Sequence, residues 1–401
     1  MTNHEGPGIT RRRLLAGAAG GLALALTGGR LWSPAEEAAA ETGDQPAAQP
    51  LITHVARPLD AETPSQVFTQ YLTPNDQFFI RSHFGPPAPA LVAPASWRLS
   101  VAGLVERPLS LSLDDLSKFE EVSMTAVVQC SGNGRAFHRP KAPGVQWETG
   151  AVGNARWTGI RLRDVLQRAG LKARAQHLQL QGADRPVVAS VPLFVRSIPL
   201  KKALHPDTIL ATRMNGAPLP LLHGAPLRLI TPGWMADSCV KWLTDLTLQA
   251  EEARGYYMET AYRYPSRPVK PGEVLAPEDL KPVEAMVVKS LIAFPKQGAT
   301  LSSSAVMVQG VAWTGEGHIE KVEVSTDEGK TWEQARLVGE DVPYAWRQWQ
   351  FLWRTKGSGQ RTILSRASDD RGQVQPMSSP WNPGGFLWNG VDRVQVQVTE
   401  A

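Results

Sequence analysis

The chain has 401 residues, with 42 Lys and Arg against 38 Asp and Glu and a formal net charge of +4. Hydrophobic residues make up 42% and charged residues 20%, which excludes a disordered tail, a collagen and a polytopic membrane protein and leaves room for two or three globular domains. The small basic excess points to no nucleic acid, and two cysteines, Cys130 and Cys239, exclude a disulfide scaffold, a four-cysteine iron–sulfur cluster and a cysteine-rich zinc site.

In chain order the first element is an address. Thr10-Arg11-Arg12-Arg13-Leu14-Leu15 precedes a run of Ala, Gly and Leu to about Leu26, and then come the small residues Ala38-Ala39-Ala40. That order makes a secretory signal over residues 1–40. The Arg pair before two Leu resembles the twin-arginine export signal, which implies a periplasmic protein exported already folded. The apolar run is shorter than the ~20 residues a membrane span needs, and no later apolar stretch reaches ~18, so no stable membrane insertion is expected. Residues 41–58, rich in Ala, Gln and Pro, read as a loose leader.

From about residue 55 to 280, Gly and Pro punctuate short apolar runs: Phe78 to Ile80, Met124 to Val128, His177 to Leu180, Leu227 to Ile230 and Leu243 to Leu248. Helix candidates are brief, at Leu113 to Phe119 and at Leu162 to Ala169, the latter stopped by Gly170. The pattern predicts an α+β domain without long helices, and no Gly-x-Gly-x-x-Gly supports a dinucleotide fold. A Pro-rich stretch at 265–282 marks a boundary. Over 283–401 the runs Val287 to Ile292, Ala305 to Ala312, Ile319 to Ser325, Thr331 to Val338, Trp346 to Trp353, Arg361 to Ser368 and Arg393 to Thr399 read as strands. Asp327-Glu328-Gly329-Lys330 reads as a hairpin turn. About seven strands predict an all-β immunoglobulin-like sandwich.

Three segments carry candidate chemistry. Arg81 and His83, two apart after Phe78-Phe79-Ile80, would share a face of a strand. Cys130 ends an apolar run and opens a Ser-Gly-Asn-Gly turn with Arg135 close by, a cation that favours the reactive or metal-binding thiolate. Position alone equally allows a buried cysteine packing as a small hydrophobe, or a Cys130–Cys239 disulfide in an exported protein. His223 to Arg228 follows a Pro-rich turn, and Val240-Lys241-Trp242 follows it.

Together these segments resemble the sulfite oxidase family of mononuclear molybdenum enzymes, specifically its bacterial haem-free sulfite dehydrogenases. The resemblance covers residues 55 to 401. It rests on Phe-Phe-x-Arg-x-His (78–83), Val-Gln-Cys-x-Gly-Asn-x-Arg (128–135), Gln-Trp-x-Thr-Gly-Ala-Val (146–152), Ala-Arg-Trp-x-Gly-x-Arg-Leu-x-Asp-Val-Leu (155–166), Met-Asn-Gly-x-Pro-Leu-Pro (214–220), His-Gly-x-Pro-Leu-Arg (223–228) and Val-Lys-Trp (240–242). Ser325 to Trp332 and Trp381-Asn382 resemble the family's sandwich-like dimerisation domain, which implies a homodimer.

The resemblance implies one molybdenum–molybdopterin per chain and no haem, with Cys130 as the protein's metal ligand. It implies that Arg81, Arg135 and Tyr262 line the substrate pocket with Trp147 nearby. Phe79, Ile80, Arg81, Ser82, His83, Asp184, His223, Arg228, Cys239, Val240 and Lys241 would hold the pterin and its phosphate. The implied reaction oxidises sulfite, a small anion whose oxygens suit guanidinium forks, and sends electrons to a separate acceptor such as a periplasmic c-type cytochrome. Two departures stand out. Where animal members have Gly-Ala-Arg-His-Val-Lys-Trp, this chain has Ala236-Asp237-Ser238-Cys239-Val240-Lys241-Trp242. Where animal and plant members have Trp-Asn-Leu-Arg-Gly, it has Trp381-Asn382-Pro383-Gly384-Gly385, without that positive charge. Two alternative readings are the family's reductase branch, which repairs methionine sulfoxide and typically lacks the C-terminal sandwich, and an exported non-catalytic scaffold using some of the thirteen Trp as binding faces.

Overall fold

The computed structural model describes residues 49–302 and 304–400. The export signal expected over residues 1–40 lies outside them. Among the described residues no helix is long and apolar enough to cross a membrane.

The loose leader expected to Pro58 is corrected at its end. Ile52–Ala56 is a strand, paired antiparallel with Leu59–Glu62. His54 from this hairpin packs edge-on against Trp147 at 5.1 Å, and its Nε2 lies 3.2 Å from Glu62. Long-range contacts, not composition, order this segment.

Two five-stranded sheets follow. In the first, Ala217–Pro218, Ile209–Met214, Val152–Arg161 and Glu121–Gln129 lie side by side, and Arg228–Ile230 also pairs with Ile209–Met214. In the second, the order is Leu109–Leu111, Leu99–Gly103, Leu243–Gln249, His177–Gly182 and Val195–Pro199. The helix Leu162–Ala169 buries Leu162, Val165, Leu166 and Ala169, a 3.6-residue stripe, in a core shared with the second sheet. Gly170 ends it with φ 72° while its N–H bonds back to the Leu166 carbonyl. The expected helix at Leu113 shortens to Leu113–Leu116, started by a capping box between Ser112 and Asp115. Phe78 to Ile80 is not a strand. Residues 75–77 form a turn closed by Gln77 N–H on the Pro74 carbonyl, and only Ile80 bridges, to Ala61.

After Lys289 the alternating runs become a sandwich. Lys289–Phe294, Ala305–Trp313, Arg347–Arg354 and Arg336–Val338 form one sheet. Thr300–Leu301, Asp392–Val398, Gly359–Asp369, Ile319–Ser325 and Glu333–Gln334 form the other. Inward residues of both, including Val308, Val322, Trp349, Ile363 and Val396, share one core. The run expected as one strand over Thr331 to Val338 divides at buried Ala335, with Glu333–Gln334 in one sheet and Arg336–Val338 in the other. The expected hairpin turn forms with Glu328 and Gly329 at φ 64° and 85°.

Candidate active site

The strand Glu121–Gln129 turns from half-exposed to fully buried over its last four residues and delivers Cys130 to a cavity of about 720 Å³, part of it open to solvent. Cys130 N–H bonds to the Ala151 carbonyl at 2.9 Å, and the turn beyond is closed by Asn133 N–H on the Cys130 carbonyl. Gly134 sits at φ 93°, where a Cβ would come within 2.6 Å of Trp388. The thiol loop and the C-terminal domain therefore meet backbone to ring. Cys130 and Cys239 are both buried and free, so they form no disulfide.

Of the residues singled out from sequence, Phe79, Arg81, Ser82, His83, Cys130, Asp184, His223, Arg228, Cys239, Val240, Lys241 and Tyr262 line this cavity. Ile80, Arg135 and Trp147 do not. Ile80 is held in its bridge to Ala61, and Trp147 is fully buried behind His54. Arg135 donates to the carbonyls of Gly384 at 3.0 Å and Val145 at 3.1 Å, and lies over Phe386 at 5.3 Å. Its charge still favours the Cys130 thiolate, as does that of Arg81, but burial outweighs both and pushes the thiol pKa up.

Arg81 and His83 leave the bridge at Ile80 together. Arg81 Nη1 reaches both carboxylate oxygens of buried Asp60, at 3.2 and 3.3 Å, and Nη2 lies 3.0 Å from His83 Nδ1. His83 Nε2 lies 2.9 Å from the Tyr262 hydroxyl. Burial, with the charges of Arg81 and Lys241, pushes the His83 pKa down to about 2, so the ring is neutral. Guanidinium has only donors, so Nδ1 accepts and Nε2 carries the hydrogen. Tyr262 oxygen then accepts from His83, and its own hydroxyl hydrogen is left for the cavity.

The rest of the lining brings in two further basic side chains, Arg228 and Lys241. Arg228 is buried, donates to the His223 carbonyl at 2.9 Å and the Cys239 carbonyl at 3.3 Å, and has an Nε with no partner. Lys241 donates to the Leu222 carbonyl at 2.9 Å; burial and then Arg228 push its pKa down to about 7. Burial pushes Asp184 up to about 6 and His223 down to about 4. His223 Nε2 donates to the Asn75 carbonyl at 2.7 Å. Sequence reasoning missed Phe78, Val128, Ser131, Phe194, Ala236, Asp237 and Trp242 as lining residues. Six of the seven, all but Phe194, lie inside or beside the quoted motifs.

Residues 84–257 match the family model for an oxidoreductase molybdopterin binding domain, and residues 281–399 match that for a Mo-co oxidoreductase dimerisation domain. Mitochondrial sulfite oxidase of Rattus norvegicus is 37% identical over 386 residues, spanning 91% of this chain and 69% of that protein. The chain belongs to the sulfite oxidase family. The sulfite oxidase of Arabidopsis thaliana is 30% identical over 384 residues, 89% of this chain and 97% of its own. The crystal structure of the sulfane dehydrogenase SoxCD from Paracoccus pantotrophus matches with a TM-score of 0.73 and 27% identity over 92% of this chain and 91% of that one.

Membership makes the protein a molybdopterin oxidoreductase and sets aside the scaffold reading. The residues present fit the cofactor. Among the described residues no cluster of three or more His, Cys, Asp or Glu side chains could hold a metal ion. A metal at Cys130 therefore draws most of its ligands from a bound group, as a pterin dithiolene provides. The unpartnered Arg228 Nε and the buried Lys241 amine, whose charged form a nearby anion would favour, suit a group such as the pterin's phosphate. At the second departure from the family pattern, a Cβ on Gly384 would lie 2.2 Å from the Phe386 ring, so the arginine of animal and plant members has no room here.

Proposed function

We propose that this protein is a periplasmic sulfite dehydrogenase. It oxidises sulfite with water to sulfate, two protons and two electrons, and hands the electrons singly to a c-type cytochrome. The observation that carries this reading is one cavity in which the Cys130 thiol, the Arg81 guanidinium and the Tyr262 hydroxyl converge. Residues 1–40 act as the twin-arginine signal, 55–280 as the catalytic domain and 283–401 as the dimerisation domain of a homodimer.

The molybdenum cofactor, when bound, takes up the two electrons and releases them one at a time. Cys130 holds the metal as thiolate. The pterin and its phosphate lie among Phe79, Ser82, His83, Asp184, His223, Arg228, Cys239, Val240 and Lys241. Arg81 binds the sulfite oxygens by charge-assisted hydrogen bonds, and Asp60 fixes its fork. Tyr262 turns its free hydroxyl hydrogen to the reacting oxygens, held in that orientation by the hydrogen bond it accepts from neutral His83. Arg135 and Trp147 act from behind, Arg135 on the thiol loop and Trp147 through its carbonyl, which accepts from Ala136 N–H.

Supplying purified, cofactor-loaded protein with sulfite and cytochrome c, in parallel with a methionine sulfoxide assay, tests the assignment. Sulfite-dependent cytochrome reduction supports it. Sulfoxide reduction without sulfite oxidation would move the protein to the reductase branch.

A further inference from the structure

We propose that the buried Arg196–Asp237 pair is a positioning device that holds Tyr262 and the Cys130 loop as one unit. The proposal rests on the reading that Cys130 and Tyr262 act at the reacting centre.

Asp237 stands where animal members of the family carry alanine, on a helical turn Ala236–Ser238 at the cavity wall. One carboxylate oxygen lies 2.6 Å from Arg196 Nη2. The other accepts the Ser131 hydroxyl at 2.5 Å, immediately after the Cys130 thiol. Arg196, on the strand Val195–Pro199, is itself 2% exposed. Its Nη1 donates to the Tyr257 carbonyl, and its guanidinium lies over the Tyr262 ring at 5.2 Å. Tyr262 is a non-glycine residue at φ 55°, a conformation that persists only where the surroundings impose it. A continuous chain therefore runs from Ser131 through Asp237 and Arg196 to the segment 257–262. The hydrogen bonds of this chain end at the Tyr257 carbonyl, and the guanidinium face covers the Tyr262 ring itself.

Stability alone is a poor account of this pair. Desolvating two charges offsets most of their attraction, and well-packed apolar replacements are commonly neutral or better. What such replacements cannot reproduce is the directional tie to Ser131 and Tyr257.

The test uses the loaded enzyme, with Arg196→Met/Asp237→Leu as the main variant and Ser131→Ala as the second. Hydrogen exchange of residues 131–135 and 257–262 is read beside the thermal midpoint and steady-state kinetics. The double variant is expected to melt within about 5 °C of wild type. Exchange in both segments should rise about tenfold, and kcat should fall about tenfold with KM changed less than about threefold. Ser131→Ala should loosen 131–135 and leave 257–262 protected. Should the double variant fail to fold, Ser131→Ala decides the matter alone. Wild-type exchange in both segments of the double variant, or in 131–135 of Ser131→Ala, would overturn the proposal, and so would undiminished kcat in a folded double variant. The exchange data do not depend on the substrate, so a wild-type enzyme inert to sulfite would count against the functional reading alone.

Discussion

The His83 imidazole donates to the Tyr262 hydroxyl across 2.9 Å because its other nitrogen is occupied by Arg81. One tautomer is thereby fixed, and the tyrosine is turned into a donor toward the cavity.

Because burial holds His83 near a pKa of about 2, the ring does not titrate between about pH 5 and 8. His83→Gln is expected to lower kcat about tenfold without changing the shape of the pH–rate profile over that range. A break near pH 6.5 that vanishes in the variant would contradict this. The sign for stability follows from the depressed folded pKa. The contribution is fully present above the unfolded pKa near 6.5 and is lost as pH falls toward 2. Denaturant midpoints of wild type should therefore drop more between pH 7 and 5 than those of His83→Gln.

Arg81 and Arg135 separate in kind. Arg81→Gln removes a charge facing the cavity and is expected to raise KM for sulfite about tenfold, roughly 1.4 kcal/mol. Arg135→Gln removes two hydrogen bonds to half-buried carbonyls. It is expected to destabilise the fold by about 2 kcal/mol and to lower kcat more than it raises KM. Chemical denaturation together with full kinetics distinguishes the two.

Much of this was legible in the sequence, and the misses share a cause. Alternation over Val322 to Ser325 and the Asp327–Lys330 turn marked the sandwich because both are local signals. Cys130, Arg81 and His83 were legible by motif. Ile52–Ala56 was not, since its strand depends on Leu59–Glu62 and on Trp147. The resemblance puts Arg135 in the pocket, but its direction is set by Gly384, far along the chain. The Arg196–Asp237 pair spans 41 residues with no pattern joining its ends.

Lys289 is fully buried, without a hydrogen-bond partner, beside Trp388 at 4.8 Å. Burial lowers its pKa to about 7, so folding costs most at and below neutral pH, where the unfolded chain keeps its charge. Lys289→Met is expected to stabilise the fold by about 2 kcal/mol at pH 7. Wild-type stability rises relative to the variant between about pH 7 and 10.5, so the gap should narrow there. Equal gaps in urea denaturation at pH 7 and 9.5 would refute this.

Phe386 stacks on Tyr262 at 5.6 Å and lies under Arg135, clamped at both its backbone N–H and its carbonyl by Asn382. Phe386→Leu should keep the fold, cost about 1–2 kcal/mol and lower kcat several-fold. Activity equal to wild type would show that the C-terminal domain does not shape the site.

The attachment of molybdenum to Cys130 is tested most directly by anomalous scattering at the molybdenum edge from crystals of the loaded protein. The strongest peak is expected at bonding distance from Cys130 Sγ, inside the cavity shared with Arg81 and Tyr262. A fully loaded protein with its molybdenum peak elsewhere would contradict the assignment.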